Sequence, residues 1–126
     1  MKKSLSADIG LALLRVIPSL IMMLVHGLPK FQKLIAGNFE FANPIGIGQA
    51  PSLFLAVIGE FVAPLLIIIG YKTRLAAVPA FITMFVAAFI THGADPFAKK
   101  ELAILYAIFF AVIFFVGPGR LSIDKK

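Results

Sequence analysis

Arg15, His26, Glu60, His92 and Glu101 are ionisable residues set within or against long apolar stretches of this 126-residue chain. An isolated charge inside an apolar helix in lipid costs at least ~2.5 kcal/mol, so each should face protein and have a partner. Arg15 lies six residues in from the start of the first apolar helix, and Glu60 is the only acid in the second. Glu60 lies eight residues in from the other end of an antiparallel helix, so both fall near mid-membrane and an Arg15–Glu60 pair is expected. Such a pair either fixes helix register or handles protons and ligand, and the two roles are compatible.

His26 follows Arg15 by eleven residues, three helical turns, so the two project from nearly one face with Pro18 and Met22 between them. His92 closes the third helix on the same side, and Glu101 enters from the outer part of the fourth. His26, Glu60 and His92 are thus the expected proton-handling set of an outward-opening pocket. Arg15, Lys30 and Glu101 are the expected ligand contacts, with Lys30 at the rim. Two readings of the histidines stand: capping of helix ends at the interface, or a proton shuttle or quinone-headgroup contact. No His-x-x-x-His or Glu-x-x-His spacing occurs among them, so no metal is predicted, and no flavin either.

The elements that must position these residues follow from composition. Hydrophobic residues make up 60% of the chain and charged ones only 14%, more apolar surface than a soluble domain of this size can bury. Four transmembrane helices are expected at about residues 9–28, 52–70, 74–91 and 96–116, giving an all-α integral membrane four-helix bundle in one domain over 1–126. Asp8 is the expected cap of helix 1. Asp95 is the expected cap of helix 4, with Pro96 at its first position. The first stretch follows Lys2 and Lys3 as a signal peptide would, but it runs about 20 residues without a small-residue cleavage pattern and reads as a retained helix. Residues 29–51, with Gly37, Gly46, Gly48 and Pro44, read as an ordered or interfacial loop. The Tyr71-Lys72-Thr73 link makes helices 2 and 3 an antiparallel hairpin.

The net charge of +6 does not point to nucleic acid, because the basic residues cluster at helix ends. Seven of them (Lys2, Lys3, Lys72, Arg74, Arg120, Lys125 and Lys126) fall on one side and four (Lys30, Lys33, Lys99 and Lys100) on the other, which favours both termini in the cytoplasm. Cysteine is absent, so disulfide exchange through this chain is excluded and redox chemistry requires a bound cofactor or partner. Ala56, Gly59 and Ala63, and Ala103, Ala107 and Ala111, are small residues suited to close helix contact. Pro18, Pro64 and Pro79 free backbone carbonyls that bend helices around a cavity or simply curve them.

Arg15, then His26-Gly27-Leu28-Pro29-Lys30, Gly59-Glu60, Gly70-Tyr71-Lys72-Thr73-Arg74 and Gly117-Pro118-Gly119-Arg120-Leu121-Ser122-Ile123-Asp124 together resemble the DoxX family across nearly the whole chain. The resemblance implies a four-helix bundle in the bacterial cytoplasmic membrane, similar to the small membrane subunit of an archaeal thiosulfate:quinone oxidoreductase. It implies a quinone as the cofactor to expect and a soluble or membrane redox subunit as the partner beside the lipid bilayer, and it leaves homo-oligomerisation open. No self-contained catalytic motif is present. Three readings follow: a quinone-associated redox subunit, a non-catalytic lipid or small-molecule binding or transport protein, and a structural partner docked through its outer loop.

Overall fold

A computed structural model describes residues 2–124, and among these there is no strand. Lys125 and Lys126, counted in the charge balance, lie outside them. Four helical runs form an antiparallel bundle. Helix 1 comprises Lys2–Ile21, a π turn at Met22–Gly27, and Leu28–Ile35. Helix 2 comprises Gln49–Val57, a π turn at Ile58–Val62, and Ala63–Ile69. Helix 3 comprises Thr73–Val86 and a π turn at Ala87–Thr91, and helix 4 is Phe97–Val116.

The first three runs are long and apolar enough to cross a membrane, the 21 residues of helix 2 covering about 31 Å. Helix 4 has 20 residues and carries Lys99, Lys100 and Glu101 near its start. The outer surface is built of Leu13, Ile17, Leu24, Phe54, Leu65, Ile82, Phe85, Phe89, Ile108 and Phe115, all exposed. The core, by contrast, is rich in small residues: Ala76, Ala77 and Ala80 of helix 3 pack with Ala107, Phe110 and Ile113 of helix 4. An apolar exterior around a close-packed, small-residue interior is what lipid selects, because lipid gives helices no hydrophobic reason to associate and close packing must hold them. This is a membrane protein.

The helix ends depart from expectation in four places, one of them the start of helix 2 at Gln49 and not at about 52. Helix 1 starts at Lys2, so Asp8 lies within it and caps nothing. Helix 1 also continues to Ile35, beyond the expected end at 28. Helix 4 starts at Phe97, with Pro96 as the capping residue, and the Asp95 carboxylate meets His92 Nδ1 at 2.8 Å instead of capping.

Two of the π turns have a legible cause. The N–H groups of Leu28 and Ala63 each donate to a carbonyl five residues back, Met23 and Ile58, and in both cases the next residue is a proline. Proline donates no N–H and its ring crowds the carbonyl four residues earlier, a conflict that the wider turn relieves. The third, closed by His92 N–H on the Ala87 carbonyl, has no proline next to it.

The end of the bundle holding the helix 2–3 turn is fastened by the C-terminal segment. Ile123 N–H donates to the Ile69 carbonyl (3.3 Å) and Asp124 N–H to that of Gly70 (2.8 Å). The Asp124 carboxylate accepts from Lys72 N–H at 3.0 Å, Thr73 N–H at 2.8 Å and the Thr73 hydroxyl at 2.9 Å. Helix 3 is thus capped from fifty residues away. Asp124→Ala is expected to destabilise the bundle by about 1–2 kcal/mol, the range of a lost N-cap, measured by unfolding titration in mild detergent.

Candidate functional site

At the opposite end, the loop of residues 36–48 folds over the mouth of the bundle. Asn43 fixes it: its Oδ1 accepts from Gly48 N–H at 2.8 Å, and its carbonyl accepts from Gly46 N–H at 3.4 Å. Beneath lies a cavity of about 390 Å³, walled by all four helices and by Phe41, Pro44, Ile45 and Ile47 of the loop. His26, Lys30, Glu60 and His92 all line it, as do Ser52, Thr83, Lys99 and Tyr106. Each of its first three helices makes its π turn beside this space, placing His26, Glu60 and Thr91–His92 there. A π turn shifts side-chain register by one residue, which is how polar groups come to face inward from otherwise regular apolar helices.

Two glycines set the helix spacing around Glu60. A methyl group on Gly27 would overlap the Glu60 carbonyl, and one on Gly59 would overlap the Thr83 hydroxyl. Helices 1 and 3 therefore approach helix 2 backbone-to-backbone on either side of the acid, and the residue is only 6% exposed.

The expected Arg15–Glu60 pair is not formed. Glu60 Oε1 accepts from Lys30 Nζ at 2.8 Å, and Lys30 also donates to the His26 carbonyl at 3.3 Å. Arg15 instead lies at the other end of the bundle, 4% exposed. Its guanidinium donates to the carbonyls of Pro118 (2.6 Å), Leu121 (2.7 Å) and Ile68 (3.4 Å). Residue counting along helix 1 misplaced it, since the helix extends seven residues before position 9 without setting the level at which helix 2 packs: Arg15 lies level with Ile68, eight residues and about 12 Å along helix 2 from Glu60. Arg15 lines no part of the cavity.

Glu101 also lies away from the cavity. It is exposed on helix 4. Positions 99, 102, 103 and 106 share the facing stripe, and 101 sits about 200° around the helix from 99, given 100° per residue. Lys99 takes the place assigned to it.

The remaining polar groups have defined surroundings. The His26 ring meets Tyr106 edge-on, centroids 6.0 Å apart at 79°, and Tyr106 stacks on Phe110. Phe31 lies flat on Phe61 at 4.6 Å, closing helix 1 on helix 2 next to the ion pair. His92, half-exposed, and Asp95 form a hydrogen-bonded pair at the same end, Nδ1 to Oδ2 at 2.8 Å. What results is an apolar chamber with a buried carboxylate–ammonium pair and an imidazole at its inner wall, and a second imidazole towards the mouth. It suits a ligand with an apolar body and a few hydrogen-bonding atoms.

The sequence profile of DoxX matches residues 10–93. The chain belongs to the DoxX family. An uncharacterized protein of Haemophilus influenzae is 32% identical to this DoxX chain over 127 residues, covering 92% of this chain and 89% of the relative. No solved structure matches it. The matched segment holds His26, Lys30, Ser52, Glu60 and His92, while the fourth cavity wall with Lys99 and Tyr106 lies beyond it.

Sequence reasoning about this DoxX chain missed Ser52, Thr83 and Tyr106. Tyr106 had a usable signal, a hydroxyl-bearing ring within an apolar helix, seven residues from Lys99 on the same face. Ser52 and Thr83 had none, because small hydroxyl residues are common in membrane helices and most bond their own backbone.

Proposed function

We propose that this chain is the membrane subunit of a quinone-linked redox system, with the cavity as its headgroup site. The observation that carries the reading is the convergence of His26, Lys30, Glu60 and Tyr106 on one apolar chamber of about 390 Å³, within the range of small-molecule sites. The redox association implied by the family supports it. Both termini lie in the cytoplasm of a bacterium in this reading, and the cavity opens to the outer face.

Reducing a quinone to its quinol takes two electrons and two protons. The electrons come from a redox group on a partner subunit, since this chain has no cysteine with which to carry them. His26 and the Lys30–Glu60 pair stand where ring oxygens would take up protons, and His92 with Asp95 stands towards water. A second reading, binding without chemistry, is favoured by the Lys30–Glu60 pair itself, which engages the carboxylate that would carry protons.

In lipid nanodiscs the protein is expected to bind a short-tailed 1,4-benzoquinone, followed by fluorescence quenching or calorimetry. His26→Ala is expected to weaken that binding about tenfold, the loss of one hydrogen bond to a ring carbonyl, and Glu60→Gln to weaken it to a similar extent by releasing Lys30, the donor that the carboxylate holds in place. Unchanged affinity in both variants removes these residues from the site. A co-purifying lipid with no quinone affinity selects the second reading.

A further inference from the structure

Ser52 sits in the first turns of helix 2, under the loop, and is 6% exposed. Its hydroxyl has no hydrogen-bond partner among the described residues. A buried hydroxyl with no partner is destabilising, and helical serines ordinarily avoid this by donating to the carbonyl four residues back. Thr83, also on the cavity wall, does so, its Oγ1 meeting the Pro79 carbonyl at 2.8 Å, and Thr91, the third small hydroxyl residue there, is exposed. Ser52 makes no such bond. Ser19 is also buried and unpaired, but it does not line this cavity. Ser52 alone combines burial, an unused hydroxyl and a place on the cavity wall.

Ser52 and Glu60 stand on the same helix eight residues apart, about 12 Å along its axis, and both face the chamber. The chamber therefore has hydrogen-bonding groups at two levels, Ser52 under the loop and the Lys30–Glu60 pair deeper in, with apolar wall between them. We infer that Ser52 is a ligand-binding residue, donating to an acceptor oxygen at the end of the ligand remote from the Lys30–Glu60 pair. The ligand class is thereby narrowed to an apolar-bodied molecule with oxygens at two opposite positions. A ring with two para carbonyls belongs to that class; a phenol or a single-headed fatty acid does not. The inference takes the cavity to be a ligand site, as the proposed function does, and borrows the quinone only as a probe.

The test compares wild type and Ser52→Ala in nanodiscs with two probes: a short-tailed 1,4-benzoquinone, and the matched phenol bearing one ring oxygen. Wild type is expected to prefer the dicarbonyl. Ser52→Ala is expected to lose about three- to tenfold of its dicarbonyl affinity with little change for the phenol, the worth of one hydrogen bond. The ligand-free variant is expected to melt at the same temperature as wild type or higher, because an unpaired hydroxyl has been removed. A lower melting temperature makes Ser52 structural and overturns the proposal. Wild-type affinity for both probes in Ser52→Ala also overturns it, while leaving the quinone reading intact. If wild type binds neither probe, the quinone reading fails. Ser52 is then judged by native mass spectrometry of any co-purifying small molecule: its loss from Ser52→Ala supports the role, and its retention, or the absence of any such molecule from wild type, overturns it.

Discussion

Lys30→Met is expected to destabilise the bundle by about 3 kcal/mol, and adding Glu60→Gln in the same chain is expected to restore most of that loss. The reason is asymmetry in what is left behind. Glu60 is buried between helix backbones brought close by Gly27 and Gly59, and Lys30 is its salt-bridge partner among the described residues. Removing the ammonium strands a carboxylate in a site largely closed to water, and breaking a buried pair from one side costs about 3–5 kcal/mol. The Lys30 side chain retains 24% exposure, so the lower end applies. Methionine keeps the apolar stem that covers the helix 1–helix 2 seam, which confines the change to charge.

With glutamine at 60 no charge remains to be compensated, and the double variant should lie within about 1 kcal/mol of wild type. The readout is a double-mutant cycle by unfolding titration in mild detergent, with a coupling well above 1 kcal/mol expected. Additive effects would mean that the two groups do not meet in the folded protein. Ligand binding should behave differently, because the double variant lacks both groups that face the cavity. Recovered stability without recovered quinone affinity would separate the fold-holding role of the pair from its binding role.

The four helices and the end of the bundle that carries the cavity were legible because both are written in side chains. Long apolar runs broken by Gly and Pro give the helices, and His26, Glu60 and His92 fall towards the same end of three successive helices. The pairings were not legible, for two physical reasons. Arg15 is held by carbonyl oxygens, which every residue possesses and no sequence pattern advertises. Glu60 finds Lys30 because helix 1 runs on past Gly27 through a π turn to Ile35, carrying Lys30 back over helix 2, whereas a helix ending at residue 28 leaves that lysine in a loop. Glu101 has another cause: helix 4 is a regular helix whose inward stripe falls on Lys99 and Tyr106, and three adjacent charges at 99–101 do not reveal which of them shares that stripe. Prolines 29 and 64 were visible, but their effect was a widened turn and not only a bend.

Arg15→Ala is expected to cost about 3 kcal/mol of stability while leaving ligand affinity at the cavity unchanged. The guanidinium gathers three carbonyls, those of Ile68 in the last turn of helix 2 and of Pro118 and Leu121 after helix 4, onto helix 1. Charge-assisted bonds of this kind contribute about 1.5–3 kcal/mol each when both partners are buried. The sum is discounted because the carbonyls sit at the end of the bundle, where water replaces part of what is lost. Arg15→Lys should recover less than half, since a single ammonium cannot reach three acceptors spread over two segments as a planar fork does. The local signature is sharper than the global one. With the fork gone, the C-terminal segment should loosen first, so the Ile123 and Asp124 amides, which donate to Ile69 and Gly70, should exchange faster with solvent deuterium, while the amides around Glu60 keep their protection. Faster exchange at Glu60, or weaker quinone binding in Arg15→Ala, would instead place Arg15 in energetic contact with the cavity, against the geometry of its three carbonyl partners.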